Sequence, residues 1–146
     1  TSELNSYITI RTYPTRLTEE NAQEIISQYD IVVDGCDNFS TRYLINDICA
    51  EMGKVYVYGA ICGFEGQVSV FHYGEEKKSY RDLYPDEEEM RRMPPPSKGV
   101  MGITPAVTGS IEATEVLKII CSFGEVLSGK LWTIDLRTLQ SNKFSL

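Results

Sequence analysis

The sequence predicts an α/β fold in which a mainly parallel sheet is flanked by helices and followed by C-terminal antiparallel strands. Short apolar runs alternate with amphipathic segments of helical length through the first half of the chain, as in β-α-β units. Near the C-terminus, two strand-like segments follow one another around a short turn, which favours antiparallel pairing.

The first elements can be placed from their side-chain patterns. Residues 7–12 alternate polar with β-branched or aromatic side chains, as a half-buried strand does, and Pro14 ends the pattern. Residues 18–29 begin with a threonine and an acidic first turn, which indicates a capped helix. Residues 31–34 form an apolar run that ends in an aspartate, the pattern of a buried strand.

The next elements continue the alternation. A helix is predicted over residues 41–52, where apolar side chains recur at helical spacing, and Gly53 is its expected end. Strands are predicted over residues 55–58 and 67–71. This order predicts right-handed crossovers between parallel strands.

The second half begins with a segment of different composition. Residues 74–98 are rich in charge and contain three consecutive prolines, so we expect a flexible loop that sends few side chains into the core. A long helix is predicted over residues 104–122, and strands over 130–135 and 139–144. On length, residues 1–146 are expected to form a single domain.

Composition excludes several classes of function. The formal charge of −7 argues against a nucleic-acid partner, which requires clustered Lys and Arg. No apolar run is long enough to span a membrane and no secretory signal pattern is present, so we expect a cytoplasmic protein. The four cysteines form no Cys-x-x-Cys pair, and Cys49 and Cys121, in apolar helical runs, are expected in the core.

Two carboxylates follow the strand that ends at residue 33. Asp34 and Asp37 precede a helix that is expected to begin between Asn38 and Ser40. Ligands of open α/β sheets bind beyond the carboxyl ends of strands, and carboxylates there suit a nucleotide-bound Mg²⁺. The same residue types are common in turns and helix caps, so the residues alone leave both interpretations open.

Four segments together carry a family resemblance. Residues 34–42 match the pattern Asp-x-x-Asp-Asn-x-x-x-Arg, and residues 59–71 contain Gly-Ala followed by Gly-Gln. Residues 80–85 read Tyr-Arg-Asp-Leu-Tyr-Pro, and residues 99–118 begin Gly-Val-Met-Gly and end Glu-Ala-Thr-Glu-Val-Leu-Lys. In this order and spacing the segments resemble the ThiF/MoeB/HesA family, bacterial relatives of the ubiquitin-activating enzymes. In that family the last motif reads Gln-Ala-x-Glu-x-x-Lys.

The resemblance implies a Rossmann-like sheet and an ATP- and Mg²⁺-dependent enzyme, commonly a homodimer. Its partner would be a small ubiquitin-like sulfur-carrier protein of the ThiS/MoaD type, adenylated on its C-terminal glycine for thiamine or molybdopterin biosynthesis. Asp37 would be the catalytic carboxylate that holds Mg²⁺. Asn38 would either bind the nucleotide or cap the helix, and Arg42 would orient Asp37, reach the phosphates or be solvated. Asp34 is expected to fix the turn, and nearby negative charge argues against Cys36 as a nucleophile.

The chain also departs from the family pattern. It contains no phosphate-binding Gly-x-Gly-x-x-Gly loop, so we expect the C-terminal part of an adenylating domain that is poorly active alone. Ser79 and Asp82 stand where the family has a pair of zinc-binding cysteines, so no zinc is expected. Residues 74–98 correspond to the family's crossover segment, which covers the partner's tail. The alternative is a non-catalytic module that binds a ubiquitin-like protein or dimerises. A dehydrogenase or methyltransferase fragment is a third possibility, which the segment 99–118 disfavours.

Overall fold

The computed structural model of the protein describes residues 4–93 and 99–146. These residues form five helices and one five-stranded sheet with the strand order β1-β2-β3-β4-β5. In chain order the elements are α1 (Glu19–Ser27), β1 (Ile31–Val33), α2 (Phe39–Met52), β2 (Val55–Cys62), β3 (Glu65–Phe71), α3 (Tyr80–Leu83), α4 (Glu87–Arg92), α5 (Ile103–Cys121), β4 (Lys130–Asp135) and β5 (Gln140–Ser145). The α/β class and the antiparallel C-terminal strands are confirmed.

The sheet is mixed, so the prediction of a mainly parallel sheet is wrong for the described strands. Only β1 and β2 pair in parallel, while β2–β3, β3–β4 and β4–β5 are antiparallel. The reason is the short connection after β2: Cys62 pairs directly with Glu65, and Gly63, at φ 58°, supplies the positive φ that a tight hairpin turn needs. Parallel strands would need a crossover of about a dozen residues or more.

The predicted first strand is absent from the described structure. Residues 7–12 adopt no strand, and the side chain of Tyr7 is 98% exposed. An alternating pattern gives a strand only where a neighbouring strand offers backbone groups to pair with, and in the described part of the chain none pairs with this segment.

The ends of the two N-terminal helices are fixed by local hydrogen bonds, as expected. The backbone N–H of Thr18, the residue before α1, donates to Asn21 Oδ1 at 2.9 Å. Asn38 caps α2, since its Oδ1 accepts the backbone N–H of Thr41 at 2.9 Å. Gly53 ends α2 in the left-handed conformation at φ 62°.

Helices cover both faces of the sheet, so two layers of apolar side chains are buried. Tyr56 and Tyr58 of β2 point to the face that packs on α1 and α2. Val57 of the same strand points to the opposite face, where Val68 and Val70 of β3 join residues of α5. Alternation along β2 therefore sends aromatic rings to one face and small aliphatic side chains to the other.

The charged segment is more ordered than the sequence predicts. Residues 79–92 include α3 and α4, and Tyr80 is buried, with its ring 4.9 Å from the ring of Tyr43. The prediction that few residues of 74–98 enter the core misses these aromatic contacts, because Tyr80 is surrounded by charged residues in the sequence. Residues 94–98 lie outside the described residues, and flexibility of the segment stays a prediction.

Cys49 is buried, as predicted, whereas the prediction that Cys121 is buried is wrong, because it lies exposed at the end of α5. No helix in the described ranges is long and apolar enough to cross a membrane.

Candidate functional site

Asp34, the first carboxylate after β1, is a buried anchor of the turn. Its side chain accepts the backbone N–H of Cys36 at 2.8 Å, the Tyr56 hydroxyl at 2.9 Å and Arg42 Nε at 3.0 Å. Only 5% of its surface is exposed. The prediction that Asp34 fixes the turn is confirmed.

Arg42 binds to the same turn through Asp34. Its Nε contacts Asp34, its Nη2 donates to the carbonyl of Cys36 at 2.7 Å, and it is 7% exposed. Burial alone would lower the pKa of Arg42, but the charge of Asp34 outweighs it and the pKa rises above its usual value. Of the three predicted alternatives, solvation is wrong, because the guanidinium is buried against Asp34. Orientation of Asp37 and contact with the phosphates stay predictions.

Asp37 and Asn38 are brought together at the N-terminus of α2. The Asp37 carboxylate is exposed, and Asn38 Nδ2 donates to its Oδ1 at 3.2 Å. Asn38 Oδ1 accepts from Thr41 N and Ser40 Oγ, both at 2.9 Å. The capping role of Asn38 is therefore confirmed, while a contact of Asn38 with a nucleotide stays a prediction.

The Cys36 thiol lies inside the turn and donates to Asp34 Oδ1 at 2.8 Å. Burial, together with the Asp34 charge, raises the pKa of Cys36 to about 12. The thiol is therefore protonated at neutral pH, which agrees with the expectation that it is not a nucleophile.

A pocket of about 730 Å³ lies beside this turn, and we call it the sheet pocket. Its walls come from the start of α2, strands β2 to β5, and the segment with α3 and α4. The lining combines an apolar floor with amide, hydroxyl and charged groups: Phe39, Arg42, Tyr58, Ala60, Ile61, Cys62, Glu65, Gly66, Gln67, Tyr84, Met90, Met93, Thr133, Ile134, Asp135, Gln140 and Asn142. Arg42 is the residue shared by the turn and the pocket.

A hydrogen-bonded group that the sequence analysis missed lies in this pocket. Gln67 Nε2 donates to the Tyr58 hydroxyl at 2.7 Å and to the Tyr84 hydroxyl at 3.0 Å. Both Gln67 and Tyr84 lie in family motifs, and this is the sequence feature that could have identified them as site residues. Their proximity depends on the hairpin after β2 and on α3.

A second missed feature lies on the other face of the sheet. Glu112 of α5 is 6% exposed, and its Oε1 has no hydrogen-bond partner in the described structure. A Cβ added at Gly59 of β2 would lie only 2.3 Å from the Glu112 carboxyl carbon. Burial, reinforced by the charge of Asp34, raises the pKa of Glu112 to about 7. The available signal was the motif itself, which has Gln at this position in the resembled family.

The positions of the missing cysteine pair form a helix cap. Ser79 N–H donates to Asp82 Oδ2 at 2.7 Å, and Arg81 N–H donates to Ser79 Oγ at 3.0 Å. Across residues 4–93 and 99–146, no three His, Cys, Asp or Glu side chains are grouped to hold a metal ion. The absence of zinc stays a prediction.

The ThiF family profile matches residues 1–146. The chain is 44% identical over 146 residues to a probable molybdopterin-synthase adenylyltransferase of Pyropia yezoensis, covering 99% of this chain and 38% of that protein. It is 46% identical over 143 residues to a sulfur carrier protein adenylyltransferase of Thermus thermophilus, covering 90% of this chain and 51% of that protein.

A solved structure of E. coli MccB with ATP has the same fold, with a TM-score of 0.79 at 17% identity over 99% of this chain and 44% of that one. The chain thus spans between about a third and about half of the length of these relatives. With four motifs in order and a profile match over its full length, the chain belongs to the ThiF family.

Proposed function

We propose that this chain supplies the Mg²⁺-binding carboxylate and the tail-binding pocket of an enzyme that adenylates the C-terminal glycine of a ubiquitin-like sulfur-carrier protein. The proposal rests on the different surroundings of two carboxylates. Asp34 is buried and paired with Arg42, whereas Asp37, three residues later, is exposed at a helix N-terminus.

The geometry of Asp37 fits a nucleotide-bound Mg²⁺. Mg²⁺ in such sites takes one or two protein carboxylates together with substrate phosphates and water. Asp37 offers hard oxygen atoms, and its only recorded partner in the described structure is Asn38 Nδ2 at 3.2 Å. Mg²⁺ held there would neutralise charge on the phosphates of ATP, and the start of α2 would add its backbone dipole.

The sheet pocket fits the tail of the partner. An extended peptide tail needs a channel with polar groups for its backbone. Gln67, Tyr58 and Tyr84 supply the polar groups, and Arg42 links the pocket to the turn that carries Asp37. The relatives' names, which mention molybdopterin synthase and a sulfur carrier protein, support a carrier of this class. A role in thiamine biosynthesis stays a prediction.

The chain would promote the reaction mainly by positioning the terminal glycine and ATP next to each other. A carboxylate oxygen of the terminal glycine attacks the α-phosphorus of ATP, a new O–P bond forms, and the bond to pyrophosphate breaks. In this chain, the pocket would hold the tail extended and Arg42 keeps the turn rigid through Asp34. Asp37 would be the residue that holds Mg²⁺, which would supply charge neutralisation.

A segment exchange tests the proposal. Residues 4–146 would replace the matching segment of the Thermus thermophilus relative, and carrier-dependent exchange of pyrophosphate into ATP would be measured. We expect the chimaera to be active and Asp37→Asn to lower the exchange rate at least about 100-fold, since it removes a charge that acts on the transition state. The matched control is Asp30→Asn, an exposed carboxylate at the opposite end of β1.

Two results would contradict the proposal. If Asp37→Asn exchanges as fast as the unmodified chimaera, Asp37 has no part in the reaction. If the chimaera binds the carrier but catalyses no exchange, the alternative of a non-catalytic binding module is correct.

We further propose that the chain forms a homodimer through the outward face of α5. Ile103, Leu117 and Ile120 are each more than half exposed. From Gly99 to Cys121 the charged residues are Glu112, Glu115 and Lys118; both glutamates are buried, and Lys118 is paired with Glu115. Two copies with a formal charge of −7 each repel one another elsewhere, so an uncharged face is where they can meet. Sedimentation of Leu117→Glu as a monomer and of the unmodified chain as a dimer would support this interface.

The proposed location is the cytoplasm. All four cysteines are free thiols, a state that a reducing compartment maintains.

A further inference from the structure

The inner wall of the sheet pocket carries an amide held between two phenols. Gln67 of β3 lies beside Tyr58 of β2, and Tyr84 reaches it from the loop after α3. All three side chains line the pocket. We infer that Gln67, held in place by Tyr58 and Tyr84, recognises the main-chain amides of the bound tail, an inference that rests on the function proposed above.

Some donors and acceptors of Gln67, Tyr58 and Tyr84 have no partner among the described residues. Both N–H groups of the Gln67 amide are used, one by each phenol oxygen. Its Oε1 therefore remains as an acceptor. Within residues 4–93 and 99–146, neither phenol proton has a protein acceptor, so Tyr58 and Tyr84 remain as donors.

The Tyr58 phenol keeps its proton, so it can act as a donor as well as an acceptor. Burial raises the pKa of Tyr58 well above its usual value. A protonated phenol that accepts from Gln67 can still donate its own proton. Tyr58 is almost fully buried, so it mainly holds Gln67, whereas the half-buried Gln67 and Tyr84 present one acceptor and one donor to the pocket. These two groups complement a peptide N–H and a neighbouring carbonyl.

Recognition through the backbone suits a tail that ends in glycine. Side chains on the ligand would keep its backbone away from the wall, while glycine allows close approach. Ala60, on the same face of β2 as Tyr58, adds only a methyl group to that wall. Gln67 would therefore act as a specificity-determining residue: it selects a tail by its accessible amides rather than by any side chain.

The test is a binding cycle that uses the chain itself and synthetic peptides. The parent probe is a six-residue peptide that ends in Gly-Gly with a free carboxylate, and four variants each carry one N-methyl amide within the last four residues. Binding is measured by calorimetry. At one position, methylation should weaken binding to the unmodified chain by about tenfold, the worth of one hydrogen bond.

The decisive comparison is the same series with Gln67→Met, which keeps side-chain length but offers no amide acceptor. The parent peptide should bind more weakly, and the methylation penalty at the sensitive position should fall to less than about twofold. Tyr84→Phe should weaken the parent peptide several-fold. Tyr73→Phe, which removes a hydroxyl on the other face of the sheet, is the matched control and should leave binding unchanged.

The outcomes separate this inference from the proposed function. Equal methylation penalties in the unmodified chain and in Gln67→Met, at every position, overturn the inference while the pocket keeps its peptide. Failure of the parent peptide to bind the unmodified chain overturns the proposed tail-binding role and the inference with it.

Discussion

Two buried carboxylates, Asp34 on one face of the sheet and Glu112 on the other, have opposite surroundings. On the α2 face, Asp34 is surrounded by donors: Arg42, the Tyr56 hydroxyl and a backbone N–H. On the α5 face, Glu112 is buried above Gly59 with an Oε1 that no described group satisfies. A buried carboxylate is thus an ion-paired anchor of the turn at Asp34, whereas at Glu112 its surroundings favour the protonated form.

The difference shows which neighbouring groups decide whether a buried carboxylic acid is protonated. A guanidinium and several N–H or O–H donors offset the loss of water around a carboxylate, whereas a buried site without such partners does not. Asp34 reaches its partners because α2 begins directly after the turn and brings Arg42 back over it. Glu112 lies in the middle of a long helix, where its own backbone groups are already paired.

Removing the cation from the α2 face should have the largest effect. Arg42→Met leaves Asp34 buried without its charged partner, so we expect a loss of about 3–5 kcal/mol in the free energy of unfolding, measured in urea. Replacing both, as Asp34→Asn with Arg42→Met, should cost less than the sum of the single changes because no unpaired charge remains. A loss below about 1 kcal/mol for Arg42→Met would mean that this pair does not hold the turn.

On the α5 face, the acid itself should limit stability at neutral and higher pH. The pKa of Glu112 is about 7 in the folded chain and 4.5 in its ordinary state, because of burial and the Asp34 charge, partly offset by Arg42. Its contribution to stability is fully present below pH 4.5 and is lost as the pH rises through 7. Relative to Glu112→Gln, the unmodified chain should lose about 2–3 kcal/mol between those limits.

Urea unfolding of both proteins across this pH range measures the difference. Glu115→Gln is not a suitable control, because Glu115 Oε2 accepts the backbone N–H of Leu127 at 2.8 Å. Glu24→Gln, an exposed change on α1, is suitable. A pH-independent difference between the unmodified chain and Glu112→Gln would contradict the raised pKa.

The space for Glu112 depends on glycine in the strand beneath it. We expect Gly59→Ala to cost about 1–3 kcal/mol, because the new methyl group would overlap the Glu112 carboxyl. In a Glu112→Ala background the same change should cost at least about 0.5 kcal/mol less, since the overlapping group is gone. Gly109→Ala, where an added Cβ meets nothing within 4 Å, is the control. Additive costs would show that the two residues do not compete for space.

Some features of this fold could be predicted from the sequence, and others could not. Helix starts and stops at Thr18, Asn38 and Gly53 were predictable because each depends on hydrogen bonds or backbone angles within a few residues. The direction of β3 was not, because the strand pattern is the same in parallel and antiparallel pairs. Only the tight turn at Gly63 separates them.

Within the candidate site, residue types were more predictable than partners. The turn with Asp34 and Asp37 was found from its position after a strand, and Asp34 behaves as expected. The pairing of Arg42 with Asp34 rather than Asp37 depends on the helical turn that lies between them, and the contacts of Gln67 join residues that are 17 positions apart in one case. Such contacts follow from packing, which side-chain periodicity does not encode.

The smallest effect on stability should come from Asp37, the carboxylate that neither face buries. Asp37→Asn removes an exposed charge whose hydrogen bond to Asn38 Nδ2 is long, at 3.2 Å, and an amide oxygen can still accept it. We expect a change within about 0.5 kcal/mol in urea unfolding. Asn38→Ala, which removes the cap of α2, is the informative comparison and should cost about 1 kcal/mol. A larger loss for Asp37→Asn than for Asn38→Ala would assign Asp37 to the fold, since a carboxylate kept for Mg²⁺ and phosphate should be dispensable for folding.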